Sequence, residues 1–164
     1  MIADPAERGR ALAEFAQAVI PRLWSDLESS GVLPDSGPGT RDEWTCFGLY
    51  ACVRGLVAAG GFNRETAAAI DAMHTAVLES WAAAELDRLD AMRALVSERY
   101  REYGEIGQEG GASGAASVTR RLGEACARHL VPAEAASFQS TAELLGGMHE
   151  ALAEGSAEAV RLAG

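Results

Sequence analysis

The chain has 164 residues, of which 48% are hydrophobic and 23% are charged, and its formal net charge is -10. This size and balance are typical of one globular domain with a substantial core, whereas the acidic charge argues against a nucleic-acid binder and against docking on an anionic membrane. The three cysteines form no CxxC pair and the first ten residues do not resemble a secretory signal, so we expect free thiols and a cytoplasmic location.

The first predicted element is a helix that begins at Pro5 and is capped by Asp4. Its apolar residues recur at helical spacing as far as Leu27. Pro21 interrupts this pattern, and we expect it to kink or divide the helix because proline cannot donate a helical hydrogen bond. Residues 32–39, with the sequence VLPDSGPG, are predicted to form a linker.

A buried central helix is predicted over residues 41–59. The run RDEWTCFGLYACVRGLVAA is apolar on nearly every side, which is typical of a core helix. It is shorter than the roughly 20 residues that cross a membrane, and it carries Arg54 near its middle. Thr40 and Glu43 are expected to form a capping box at its start. A pair of glycines is expected to end it.

One stripe of this helix consists of small residues. Glycine inside a helix costs roughly 1 kcal/mol relative to alanine, so two glycines on one face predict that another backbone comes very close. The alternative is neutral drift in a chain rich in glycine and alanine. A similar stripe on the last helix is the first candidate partner, either within one chain or across a dimer. The predicted packing seam consists of Gly48, Cys52, Gly55 and Gly146.

The other side of the central helix carries Tyr50 and Arg54. A buried arginine is rare unless it is paired. One interpretation is that the stem of Arg54 lies on the core while its head reaches water. The alternative is that Arg54 binds a carboxylate of the protein or an anionic ligand.

Asn63 is predicted to cap the next helix after a connection so short that the two helices should form an antiparallel hairpin. Residues 64–103 then form either one helix of about 40 residues or two helices joined near residues 81–85. Because no strong helix breaker occurs there, the pattern slightly favours one long, bent helix.

Residues 104–117, GEIGQEGGASGAAS, are predicted to be a flexible loop, and they contain no phosphate-loop pattern. A short helix from Val118 should end before Pro132, and a last helix is predicted from about Ser140 to Leu162. No run of alternating apolar residues indicates a strand. The fold class is therefore predicted to be all-α, a single domain over residues 1–164 with five to seven helices.

The three histidines, His74, His129 and His149, each lie on the apolar side of a predicted helix. The simplest interpretation of each is a core or boundary histidine with one hydrogen-bond partner. Three of them together also suggest a site, because helical bundles build metal sites from facing helices. His74, His129 and Cys126 are weak candidates for zinc ligands. No HExxH, Glu-x-x-His or paired CxxC pattern supports them, so we expect no bound metal and no cofactor.

Three hypotheses about function follow. The first is a non-catalytic interaction module that forms a homodimer or binds another protein. The second is a helical bundle that binds a small ligand or a metal through His74, His129 and His149, together with Arg54 and Tyr50. The third is an enzyme with its site beneath the glycine-rich loop, although no GxSxG or other nucleophile motif is present.

Overall fold

A computed structural model describes residues 4–34, 37–83, 86–109 and 115–163. Within these ranges the chain contains six α-helices, one short 3-10 turn and no strand, which confirms the predicted all-α bundle. The elements are α1 (Pro5–Ser29), α2 (Pro38–Gly60), α3 (Arg64–Ala82), the 3-10 turn (Leu86–Arg88), α4 (Leu89–Glu109), α5 (Ala115–Leu130) and α6 (Phe138–Ala163).

Helix α2 lies at the centre of the bundle and contacts each of the other five helices. Its large side chains, including Trp44, Phe47 and Leu49, are fully buried. A helix that meets neighbours all round has no polar face, which is why its sequence is apolar on nearly every side. The predicted buried central helix is therefore confirmed.

The start of α2 differs from the prediction. The helix begins at Pro38, and Gly37 caps it without a side-chain hydrogen bond. The hydroxyl of Thr40 donates to the carbonyl of Gly37 at 2.7 Å, and Glu43 binds Arg99 through two hydrogen bonds. The capping box is thus wrong, because a proline is already suited to the first helical position and the charge-assisted bonds to Arg99 are stronger than a cap. The predicted linker shortens accordingly, and residues 35–36 lie outside the described ranges.

Helix α1 begins as expected. The carboxylate of Asp4 accepts a hydrogen bond from the N–H of Ala6 at 3.1 Å, and Pro5 occupies the first position. Pro21 lies inside the helix without dividing it. Because proline has no N–H, the backbone carbonyl of Gln17 loses its helical donor.

The segment after α2 forms two helices and not one long, bent helix. Asn63 caps α3 by accepting a hydrogen bond from the N–H of Thr66 at 2.9 Å. Helix α3 ends at Ala82, and α4 then packs on α2. A straight helix of about 40 residues would extend about 60 Å, which would carry Arg99 away from Glu43. The chain therefore breaks between α3 and α4 because α4 packs on α2 and forms ion pairs with it, although the local sequence contains no strong helix breaker.

The predicted flexible loop is wrong over residues 104–109, which form the last turns of α4. Tyr103 is fully buried and anchors this end of the helix. A Cβ added at Gly107 would lie 2.7 Å from the hydroxyl of Tyr50, so glycine there allows close packing and does not signal flexibility. Helix α5 begins at Ala115, and residues 110–114 lie outside the described part of the chain.

The small residues of α2 and α6 pack against helices of the same chain. A Cβ added at Gly55 would lie 2.1 Å from the carbonyl oxygen of Ala153 on α6. One at Gly48 would lie 2.9 Å from Ile20 on α1, and one at Gly146 would lie 3.2 Å from the carbonyl oxygen of Thr119 on α5. These positions face three different neighbours, so they give no support to a homodimer.

Cys52 belongs to the same contact region of α2. Its backbone carbonyl accepts a hydrogen bond at 3.2 Å from the hydroxyl of Ser156 on α6. None of the helices in the described ranges combines the length and the apolar character that a membrane span requires.

We expect Gly55→Ala to lower the free energy of unfolding by about 2 kcal/mol or more, because the new methyl group would overlap the backbone of α6. Gly104→Ala is the matched control, since it also lies within a helix and faces open space. It should raise stability by about 0.5–1 kcal/mol through helix propensity. Urea denaturation of both variants measures the difference. Equal stability of Gly55→Ala and the wild type would contradict the close contact.

Candidate functional site

A cleft of about 600 Å³ opens between α1, α2 and α3, near the amino end of α2. All three tryptophans of the chain lie on its wall. The 3-10 turn before α4 contributes one side chain. The lining residues are Ala16, Gln17, Ile20, Pro21, Trp24, Glu28, Gly37, Arg41, Asp42, Trp44, Thr45, Val77, Ser80, Trp81 and Arg88.

The inner wall of the cleft is apolar and fixed in place. Trp24 and Trp44 are 3% and 0% exposed. The indole N–H of Trp44 donates to the backbone carbonyl of Ile20 at 2.9 Å, so its polar atom is satisfied inside the core. This bond ties α2 to α1 beside Pro21.

The third tryptophan belongs to a polar network on the outer wall. The carboxylate of Asp42 accepts hydrogen bonds from the indole N–H of Trp81 and from the guanidinium of Arg88. Burial raises the pKa of Asp42, and the opposing effect of Arg88 and Trp81 does not fully offset it. The network joins side chains from α2, α3 and the 3-10 turn.

The remaining polar groups of the wall are less constrained. Arg41 is exposed, and its guanidinium forms no ion pair with any residue in the described ranges. The side-chain amide of Gln17 donates to the carbonyl of Ala76 at 3.3 Å. The backbone carbonyl of Gln17 lacks its helical donor because of Pro21. The cleft therefore combines an apolar inner wall with seven polar or charged residues.

Arg54 lies elsewhere, between α2 and α6. Its guanidinium donates to the carboxylate of Glu150 at 3.0 Å, and the hydroxyl of Thr119 binds the same carboxylate. Burial opposes the ionisation of Glu150, but the hydrogen bonds from Thr119 and Arg54 outweigh it and lower the pKa of that carboxyl. The counter-charge of Arg54 is thus a residue of the protein.

Tyr50 lies in an aromatic cluster in the interior. Its ring centroid is 5.7 Å from that of Tyr100, 5.6 Å from that of Tyr103 and 5.9 Å from that of His149. Burial raises the pKa of Tyr50, and Arg54 only partly opposes this. Tyr50 is therefore a neutral core aromatic residue at neutral pH.

The three histidines lie in separate surroundings, and only two of them have a hydrogen-bond partner in the described residues. His74 forms a hydrogen bond of 2.6 Å with the hydroxyl of Tyr100. His129 bonds to the carboxylate of Glu102 at 2.8 Å. For His149, neither ring nitrogen has a hydrogen-bond partner in the described part of the chain. None of the three lines the cleft.

The metal candidates His74, His129 and Cys126 do not form a ligand set. Among the residues that the structure describes, no three histidine, cysteine or acidic side chains are grouped so that they could hold a metal ion. Cys126 is fully buried, and burial raises the pKa of its thiol well above the usual range.

The other two thiols are equally unsuited to chemistry. Burial raises the pKa of Cys46 and of Cys52 to about 12. A thiol with such a pKa is protonated at neutral pH, and the thiolate is the nucleophilic form. Both cysteines therefore act as small core residues.

Sequence reasoning missed the cleft, although part of a signal was present. Trp24 lies near the end of α1 and Trp44 near the start of α2, and only a short linker separates these helices. The expected hairpin of α2 and α3 also returns Trp81 toward Trp44. The contribution of Arg88 could not be foreseen, because it depends on the break between α3 and α4.

Comparison of the chain with protein-family models, with curated proteins and with solved structures gives no match. Its function therefore has to be inferred from its own geometry.

His149 makes stability depend on pH. Burial, followed by the charge of Arg54, lowers the pKa of His149 from 6.5 to about 4. The unfolded state, in which His149 has its ordinary pKa, binds a proton at higher pH than the folded state does. The contribution of the neutral His149 to the free energy of unfolding is therefore complete above pH 6.5 and is lost as the pH falls toward 4. At about 1.36 kcal/mol per pKa unit, the full effect is on the order of 3 kcal/mol.

We expect His149→Phe to remove this dependence, because phenylalanine fits among Phe47 and Tyr50 and does not titrate. Urea denaturation of both proteins at several pH values between 7.5 and 4 is the measurement. The variant should gain stability relative to the wild type by about 2–3 kcal/mol as the pH falls across this window. Other titrating groups are common to both proteins, so parallel curves would contradict the prediction.

Proposed function

We propose that this protein binds a small, largely apolar molecule in the cleft between α1, α2 and α3 and does not transform it chemically. The observation that carries the proposal is the cleft itself. Its volume of about 600 Å³ lies within the usual range of about 300–1,000 Å³ for small-molecule sites. Eight of its fifteen lining residues are apolar or glycine and seven are polar or charged, so a ligand would meet both apolar surface and several polar groups.

Trp81 supports an aromatic ligand, because it is the tryptophan of the cleft whose ring is not completely buried. Indole rings offer large, rigid surfaces for contact with flat molecules. Trp81 is only half-buried, so a ligand in the cleft can cover part of its ring. Removing this apolar area from water contributes about 25 cal/mol per Å².

The cleft is also built from rigid elements. Three helices supply most of its wall, and Trp44 and Asp42 are both held by hydrogen bonds. A site that is already ordered loses less conformational entropy when it binds a ligand. This favours a binding function.

The residues of the cleft wall favour binding over catalysis. The described wall includes neither a histidine nor a cysteine. Of its two carboxylates, Asp42 is occupied by Arg88 and Trp81, and Glu28 is exposed. Among the described residues of the wall, neither hydroxyl, of Thr45 or of Ser80, hydrogen-bonds to a carboxylate that could activate it as a nucleophile. Of the glycine-rich segment of the enzyme hypothesis, the described residues 104–109 and 115–117 contribute nothing to this wall.

The other sequence-based ligand hypothesis has weaker support. It relied on Arg54, Tyr50 and inward histidines that bind an external molecule. Arg54 is paired with Glu150, and His74 and His129 bond to Tyr100 and Glu102. These three side chains are therefore satisfied within the protein. His149 has no hydrogen-bond partner in the described residues, but it is fully buried and does not line the cleft. The cleft is therefore the better candidate.

Binding can be tested with N-phenyl-1-naphthylamine, a neutral dye that fluoresces in apolar surroundings. Because all three tryptophans line the cleft, a dye bound there should quench tryptophan emission as its own emission rises. We expect saturable binding of one dye per chain. Ser80→Phe should weaken it strongly, since Ser80 is an exposed residue on the cleft wall and the added ring would occupy part of the space.

Ser97→Phe is the control. It places the same ring at an exposed position of α4 that is not part of the cleft, and it should bind the dye as the wild type does. If the wild type shows no saturable binding, or if Ser80→Phe binds the dye as well as Ser97→Phe does, the proposed site is wrong.

A further inference from the structure

Four charged side chains line the cleft: Glu28, Arg41, Asp42 and Arg88. Two of them neutralise each other, because Arg88 pairs with Asp42. The indole N–H of Trp81 also binds that carboxylate. A ligand that replaced either partner would leave the other group desolvated and unpaired, which is unfavourable. The charge selectivity of the cleft therefore depends on Arg41 and Glu28.

Arg41 has the better position for contact with a bound ring. Arg41 follows the first turn of α2. The amino end of this helix carries a partial positive charge, and it lies on the wall of the cleft, because its capping residue Gly37 is a lining residue. Arg41 also precedes Asp42, which is bonded to Trp81, the cleft indole with exposed ring surface. Arg41 and Trp81 line the same cleft, so one ligand seated there can contact both side chains.

A cationic ligand fits the same wall less well. Cation binding by aromatic residues needs ring faces that the cation can reach. Trp24 and Trp44 are almost completely buried, so they do not form an open cage. Asp42 is already neutralised by Arg88, and Arg41 would repel a cation.

We infer that the cleft takes a flat, aromatic anion, whose ring lies against Trp81 and whose carboxylate, sulfonate or phosphate group is bound by Arg41. This inference rests on the proposed function. Guanidinium groups bind such oxyanions through paired hydrogen bonds. The net charge of -10 repels anions from the protein as a whole, so a preference for an anion must arise locally.

Two dyes with the same ring system test the inference. The anion 8-anilino-1-naphthalenesulfonate is N-phenyl-1-naphthylamine with one added sulfonate. We expect the wild type to bind the anionic dye about five- to tenfold more tightly than the neutral dye, the range suggested by a partly exposed charged hydrogen bond. Dissociation constants for both dyes come from fluorescence titration.

Three variants test whether Arg41 is the residue that binds the anionic group of the dye. Arg41→Gln should remove the preference for the anionic dye, measured as the ratio of the dissociation constants of the two dyes. Arg41→Lys, which keeps the charge, should retain part of the preference. Arg64→Gln removes an exposed arginine at the start of α3, away from the cleft, and should behave as the wild type does.

The outcomes separate the inference from the proposed function. If both dyes bind the wild type equally, or if Arg41→Gln and Arg64→Gln give the same ratio of affinities, the ligand is not an anion held by Arg41, although the cleft still binds small molecules. A preference for a cationic naphthyl dye that is lost in Glu28→Gln would also overturn the inference. If Ser80→Phe leaves the binding of both dyes intact, the cleft itself is not the site.

Discussion

The structure depends on one backbone contact, between Gly55 of α2 and Ala153 of α6. A side chain at Gly55 has no room, because even a Cβ would lie 2.1 Å from the carbonyl oxygen of Ala153. Helices separated by ordinary side chains lie about 8–10 Å apart, and a contact between backbones brings them closer. The hydrogen bond from Ser156 to the carbonyl of Cys52 fixes the same pair of helices one turn earlier along α2. Helix α6 thus covers one side of the central helix along its carboxyl half.

The amino half of α2 is built in the opposite way. There Trp44 faces α1, and Trp24 and Trp81 join it on the wall of the cleft. Large indole rings keep helices apart where glycine lets them approach. The central helix therefore places a glycine against α6 near its carboxyl end and a tryptophan beside α1 near its amino end. The cleft of about 600 Å³ opens at the end that carries Trp44.

Local patterns in the sequence predicted the elements, and long-range contacts decided the rest. The apolar periodicity identified the all-α fold and the central helix, and Asp4 and Asn63 were identified as caps. Glu43 was misassigned, because its partner Arg99 lies 56 positions away. The same limit applies to the site. Trp24, Trp44 and Trp81 are ordinary apolar residues of their helices in the sequence, and nothing local shows that a cleft opens between them.

The network of Trp81, Asp42 and Arg88 is better understood as a positioning device than as a source of stability. Arg88 is 39% exposed, so its ion pair with Asp42 is partly screened by solvent and contributes at most about 1 kcal/mol. The raised pKa of Asp42 agrees with this small contribution. Burial destabilises the ionised carboxylate more than the hydrogen bonds from Arg88 and Trp81 stabilise it. The network instead orients the side chain of Trp81. A carboxylate that accepts bonds from an indole and a guanidinium fixes the plane of the ring, and it keeps the only half-buried tryptophan of the cleft turned toward the space that a ligand would occupy.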